Sequence, residues 1–335
     1  MKAVLLMAMA LPVFGAVSGT VINQTTGKPQ AKANVTVFKV GGGMEALKTV
    51  PSDPEGRFAL DVTPQGPALV QVAWEGVTYN TMLPPGTPGT GLTLNVYDVT
   101  KQASAAKITQ HMVLLEPSDS ALQVSESMFA VNDSKTTYSD PANGSFRFYL
   151  PPAANGDVSV TINEPQAIIP LQRPAEKTST ANVYKVNFPI KPGETRFDIT
   201  YRLPRTETFS SRILHKEGST RMVAPVGVTL AGDGIAALGA EPRTKATIYE
   251  VKSPEYKVSI AGTGSLRAAA DSGAAGDDSD DPSGGGNSIS QIQAPLNEKR
   301  WVIVSLGLAI LMLGFIVLYR SSVASSTPAK RAARK

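Results

Sequence analysis

Cysteine is absent from the 335 residues, and histidine occurs twice, as His111 and His215. The first absence excludes disulfides, thiolate zinc sites, covalent haem attachment and lipidation at cysteine. The second leaves little material for a metal centre or for Ser–His catalysis. The two histidines lie in different segments, and no Asp or Glu pattern stands beside either. Both read as structural or surface residues. Other chemistry is missing too: there is no G-x-S-x-G, no H-E-x-x-H and no P-loop. Val40-Gly41-Gly42-Gly43 is not followed by the Lys-Ser/Thr that would cradle phosphate. Neither an enzymatic activity nor a cofactor is expected.

Negative charge is missing from one end. After Glu298 the chain carries Lys299, Arg300, Arg320, Lys330, Arg331, Arg334 and Lys335, with no Asp or Glu. Residues 17–298 hold 24 Lys/Arg against 28 Asp/Glu, a net charge of −4. The overall +4 therefore belongs to the termini, and a nucleic-acid partner, which needs a basic folded surface, is not expected.

Within that basic end lies Trp301 to Tyr319, WVIVSLGLAILMLGFIVLY, nineteen residues without a charge. As a helix it reaches roughly 28 Å, close to the hydrocarbon thickness of a bilayer. A helix satisfies its own backbone, so it can cross lipid alone. Trp301 and Tyr319 stand where amphipathic rings favour the headgroups, and Lys299, Arg300 and Arg320 stop the span. A transmembrane helix over 299–320 is expected, with lipid as its partner and 321–335 as a basic cytoplasmic tail. Ser305 and Ala309 make a small-x-x-x-small pair, which is common and weak as a sign of helix pairing.

Residues 1–16 have the outline of a signal peptide: Met1-Lys2, the apolar run Ala3 to Phe14, then Gly15-Ala16. Cleavage after Gly15 leaves Val13 at the third position back, and cleavage after Ala16 leaves Phe14 there. An uncleaved anchor remains open. Either way residues 17–298 are expected outside the cytoplasm, periplasmic or on the cell surface.

The exported part is punctuated for β-structure, with Gly and Pro turns between short alternating runs. In 17–100, Val17, Gly19 and Val21 alternate with polar neighbours, and Thr26-Gly27-Lys28-Pro29 turns the chain. Val35 and Val37 share a face. Asp53-Pro54-Glu55-Gly56 is turn chemistry, after which Phe58, Leu60 and Val62 face one way. Leu69 to Trp74 and Thr90 to Val96 add two more strands. The run V-S-G-T-V-I-N, the turn T-T-G-K-P, the strand N-V-T-V-F and the turn S-D-P-E-G-R-F together resemble the carboxypeptidase-regulatory-like domain. That resemblance implies a transthyretin-like β-sandwich of about seven antiparallel strands. It also implies a module that accompanies enzymes and surface proteins without being catalytic itself. No peptidase domain stands beside it here.

Ser139-Asp140-Pro141-Ala142-Asn143-Gly144-Ser145-Phe146 echoes Ser52-Asp53-Pro54-Glu55-Gly56-Arg57-Phe58 with one residue inserted. A second, divergent sandwich over 103–204 explains the echo, and coincidence between two common turns is the alternative. Tyr184 to Ile190 alternates, and Lys191-Pro192-Gly193-Glu194 leads into Phe197, Ile199, Tyr201 and Leu203. That pair reads as a hairpin with Arg196, Asp198, Thr200 and Arg202 on a wet face. Residues 205–260 read as a small β-unit that packs on the second sandwich or completes it. Residues 261–298, rich in Gly, Ser, Ala and Asp, read as a disordered linker. The fold class is therefore all-β: tandem antiparallel sandwiches, a linker, and one transmembrane helix.

Ligand signals are sparse. Asp277-Asp278-Ser279-Asp280-Asp281 lacks the spacing of a calcium loop and reads as solvated spacer. Trp74 and Tyr79, with Tyr97, are the candidate aromatic platform for a sugar. Trp74 shares a strand with Val70 and Val72, so a core position competes with that reading. Asn34, Asn132 and Asn143 open glycosylation sequons. The expected function is display of interaction modules to an envelope protein or polysaccharide. A carbohydrate-binding module and an accessory subunit of a membrane enzyme complex are the alternatives.

Overall fold

The computed structural model describes residues 17–41, 43–165 and 170–266. The expected signal peptide, nearly all of the linker with Asp277 to Asp281, and the tail lie outside the described residues. So does the anchor with Lys299, Arg300, Trp301, Tyr319 and Arg320. Among the described residues no helix is long and apolar enough to cross a membrane.

Alternation with period 2 builds the first unit. Two four-stranded sheets face each other. In one, Val17–Asn23 runs antiparallel to Lys28–Pro29 and Arg57–Leu60 and parallel to Leu92–Val96. In the other, the antiparallel order is Met44–Pro51, Asn34–Val40, Ala68–Trp74, Val77–Leu83. Val35, Val37, Phe58, Leu60, Val70 and Val72, each in phase along its strand, bury in one core with Val17, Val21 and Leu94. Sequence reading did not find Met44–Pro51, because that strand has no buried row: seven of its eight positions are exposed.

The second core is organised by an eight-stranded sheet. Its order is Leu171–Arg173, Val158–Asn163, Gly193–Pro204, Ala121–Asn132, Lys107–Pro117, Ser219–Ala224, Thr247–Val251, Ile235–Ala240. Neighbours are antiparallel except Lys107–Pro117 with Ser219–Ala224, which are parallel. Two three-stranded sheets share its buried cluster. One consists of Phe146–Tyr149, Val183–Val186 and Glu176–Lys177, the other of Thr208–Arg212, Glu255–Gly262 and Val228–Ala231. Phe146 and Phe197 join small sheet to large: their rings stack at 3.9 Å between centroids and 2° between planes. Residues 205–260 thus supply strands to both layers and share one core with 107–204.

The hairpin expected from Tyr184–Ile190 into Phe197–Leu203 does not form. Val183–Val186 pairs with Phe146–Tyr149, whereas Gly193–Pro204 pairs with Ala121–Asn132 and Val158–Asn163. Between them the chain crosses from one layer to the other, burying Phe188 and Ile190 on the way. Alternation shows which side chains share a face but not which strand lies alongside. The wet face is present: Asp198 accepts from Ser127 at 2.7 Å and Asn163 at 2.8 Å and pairs with Arg196 at 2.9 Å.

The two Asp-Pro turns close alike. Gly56 N–H donates to the Asp53 carbonyl at 2.9 Å and Gly144 N–H to the Asp140 carbonyl at 2.7 Å. Each aspartate carboxylate also takes a backbone N–H, from Arg57 at 2.7 Å and from Asn143 at 3.1 Å. Both glycines sit at positive φ, +74° and +81°, and a Cβ on either would come within 2.6 Å of a neighbour.

The two cores meet at a polar joint. Val99–Thr100 lies parallel to Thr137–Tyr138. The Tyr79 hydroxyl donates to the Tyr97 carbonyl at 3.0 Å and meets the Thr137 hydroxyl at 2.9 Å. The Thr137 N–H donates to the Asp98 carbonyl at 2.9 Å, and the Thr25 hydroxyl donates to the Lys135 carbonyl. At the other end, the first residues counted with the linker are held. Glu255–Gly262 runs on as strand, and the Glu116 carboxylate takes the Ser265 hydroxyl at 2.7 Å and the Leu266 N–H at 2.9 Å.

Candidate functional site

A row of polar side chains crosses the largely apolar inner face of the large sheet. His111 is in phase with the buried Val113 and Leu115, and Glu126 with Leu122, Val124, Met128 and Ala130. Tyr201 is in phase with Phe197, Ile199 and Leu203, and Thr220 with Met222. The register sets Val113 opposite Glu126, Val124 opposite Tyr201, and His111 opposite Thr220. Four adjacent strands thus bring these side chains into one diagonal line. His111 is 3% exposed and Glu126 2%.

The line is hydrogen-bonded throughout. Glu126 Oε1 accepts from the Tyr201 hydroxyl at 2.6 Å, and Glu126 Oε2 lies 2.8 Å from His111 Nε2. His111 Nδ1 lies 3.3 Å from His215 Nε2. His215 comes from the loop before Ser219–Ala224. Its Nδ1 lies 2.7 Å from the Glu217 carbonyl, and its Nε2 lies 3.4 Å from the Thr220 hydroxyl. The two imidazoles meet edge-on, with centroids 5.4 Å apart. Burial lowers the His215 pKa from its ordinary value, against the pull of the Glu217 carbonyl, and nearby His111 lowers it further. Burial drives the Tyr201 phenol well above its ordinary value, and the Glu126 carboxylate adds to the rise.

This arrangement corrects the sequence reading of the histidines. They are neither separate nor without a carboxylate: the fold makes neighbours of residues 104 positions apart. The signal was Glu126 itself, a charged residue in phase with an apolar row. His215 lines a cleft of about 600 Å³ together with Lys101, Asp140, Arg147 and Leu214, so the line reaches solvent at that end.

A second feature lies on the first unit. Met44–Pro51 forms the outer edge of its sheet, with Met44 61% and Leu47 37% exposed. Beside it runs a groove of about 490 Å³ lined by Met44, Leu69, Met82, Leu171, Arg173 and Phe188, from both units. The large sheet ends likewise in an open strand, Ile235–Ala240, where Leu238 is 56% exposed.

The other residues singled out from sequence are placed as follows. Tyr79 is buried, and its hydroxyl is committed to the joint. Trp74 is half-buried against the same core, as is Tyr97, so the three do not form an open aromatic row. Of the sequons, Asn34 and Asn143 are exposed. Asn132 is buried, and its amide donates to the carbonyls of Thr136 and Ile190, which leaves no room for a glycan. Among the described residues no group of three or more His, Asp or Glu gathers in metal-binding fashion.

Residues 16–102 match the family model of the carboxypeptidase regulatory-like domain. The match spans the first sandwich. No curated protein matches the sequence. Among solved structures, an M1 zinc metallopeptidase from Deinococcus radiodurans, one form of it bound to a Tyr-Ser-Ala substrate, is similar at 12% identity. That likeness covers 46% of this chain and 42% of the other at a TM-score of 0.26, a level at which neither fold nor activity transfers.

Proposed function

We propose that the chain is a non-catalytic membrane-anchored envelope protein that displays its β-sandwiches outside the cytoplasm for a protein partner. The observation that carries this reading is the edge strand Met44–Pro51, paired on one side only, with its adjoining groove. An open edge offers a row of backbone donors and acceptors to an extended segment of another protein, and neighbouring apolar pockets select its side chains. The family likeness of residues 16–102 supports the module part. The uncharged span Trp301 to Tyr319 and the basic tail after it support the anchor. Anchoring confines the modules near the membrane and raises their effective concentration toward partners there. The burial of Tyr79 weighs against a stacked-sugar mode at Trp74 and Tyr79.

Two measurements test the reading. Protease added to cells whose outer envelope has been opened but whose inner membrane is intact should remove an epitope placed in the exposed turn at Thr26-Gly27-Lys28 and spare one placed after Lys335. Protection of the first epitope overturns the topology. A photo-crosslinking side chain at Leu47 should yield a discrete adduct in cells, and the same group at exposed Glu255 should not. Equal labelling at both sites overturns the edge-docking mode.

A further inference from the structure

With both imidazoles neutral, the proton positions in the His111–His215 pair do not close. The Glu217 carbonyl, 2.7 Å from His215 Nδ1, can only accept, so Nδ1 carries the proton and Nε2 presents a lone pair. Glu126, already accepting from the Tyr201 hydroxyl, accepts a second hydrogen bond from His111 Nε2 when it is a carboxylate. That leaves His111 Nδ1 a lone pair as well. The two lone-pair nitrogens then lie 3.3 Å apart, in a site where His111 is almost fully buried. The Thr220 hydroxyl can relieve only His215 Nε2, through a long contact of 3.4 Å. A cation reconciles them: either a third proton, which makes His111 an imidazolium against Glu126, or a metal ion bound by both nitrogens.

We propose that His111 Nδ1 and His215 Nε2 are the protein ligands of a late first-row divalent metal ion, of the zinc, nickel or copper class. Two imidazole nitrogens bound to one tetrahedral zinc at about 2.0–2.1 Å lie about 3.3–3.4 Å apart, which matches the observed separation. Imidazole without thiolate suits these ions. Glu126 is where a carboxylate behind a ligating histidine belongs: it holds the ring orientation and tautomer and makes the far nitrogen more basic. The protein supplies only two ligands, so the remaining positions fall to water or a small anion entering by the cleft that His215 lines. Lys101 and Arg147 on that cleft favour an anion as the outer ligand. The line of buried polar groups is then the support of a metal site.

The test uses the untagged full chain, whose only histidines are these two. Calorimetric titration with Zn²⁺ should show one equivalent bound. H215A should abolish it, and E126Q should weaken it by about 10–100-fold. Cu²⁺ added to the wild type should give a resonance spectrum with two nitrogen donors, falling to one or none in H215A. His215 sits on a half-buried loop, so H215A is the variant least exposed to folding failure; unchanged circular dichroism checks this. Stoichiometric Zn²⁺ binding that survives H215A overturns the site. So does absence of Zn²⁺ binding, and a ring-nitrogen NMR spectrum showing one imidazolium would then make the bridging cation a proton only.

Discussion

Glu126 is a carboxylate in the middle of an apolar layer, and its two short bonds are what make it tolerable there. Removing a partner from a buried polar cluster costs more than the bond itself, because the survivor is left desolvated. E126A strands the His111 ring and the Tyr201 hydroxyl, and should lower unfolding free energy by about 3–5 kcal/mol in urea titration. E126Q, which keeps the shape and part of the bonding, should cost less. Tyr79 gives a second residue-scale expectation. Burial pushes its phenol from 10.0 to about 12, and the Glu75 carboxylate adds to the rise, while the bonds to Thr137 and Tyr97 pull the other way. The folded chain therefore keeps a proton that the unfolded chain gives up above pH 10. Tyr79's share of stability is full below pH 10 and drains away as pH rises through 12. Urea midpoints measured from pH 9 to 11.5 should fall more steeply in wild type than in Y79F. At this scale the sequence was partly legible. Tyr201 was placed on the correct face by alternation, whereas Glu126, a charge in phase with Leu122 and Val124, was missed because no strand was read over 121–132. His215 was not legible, because a loop residue has no periodicity to betray what it touches.

At the scale of elements, turns were read better than pairings. The two Asp-Pro turns occur where their residue types demand, since Asp at the start and Gly at positive φ are local requirements. G144A tests one of them. The added methyl sits 2.5 Å from the Lys185 Cβ in a backbone conformation that alanine resists. A loss of about 1–3 kcal/mol is expected, read as a drop in melting temperature. G56A, whose Cβ meets the Val21 carbonyl at 2.6 Å, should behave the same way. The failed hairpin shows the other side. Lys191 to Glu194 has turn composition, but Phe188 and Ile190 gain more by burying between layers than by continuing a ladder with Phe197. Partner choice is a property of the whole core, and no short window of sequence contains it.

For the whole molecule, the all-β class followed from scarce helical pattern and dense turn chemistry, and the family likeness of residues 16–102 was legible in four short motifs. The eight-stranded sheet was not, because its order joins strands from opposite ends of residues 107–251. The joint between the cores is polar and specific, which favours cooperative unfolding. Y79F removes the hydroxyl that reaches both Tyr97 and Thr137 while keeping the ring beneath Lys191. Calorimetry should then show one transition separating into two, with a loss of about 1–3 kcal/mol in the less stable half.

The strand Glu255–Gly262 is gripped on both flanks, by Thr208–Arg212 and by Val228–Ala231, just before the chain reaches Glu116. A pull arriving from the carboxyl side would load those two ladders in shear, straining many bonds together instead of peeling them one at a time. A protein moored at that end would meet drag or tugging at its mechanically stiffest strand, and the sandwich at the far end would ride without strain.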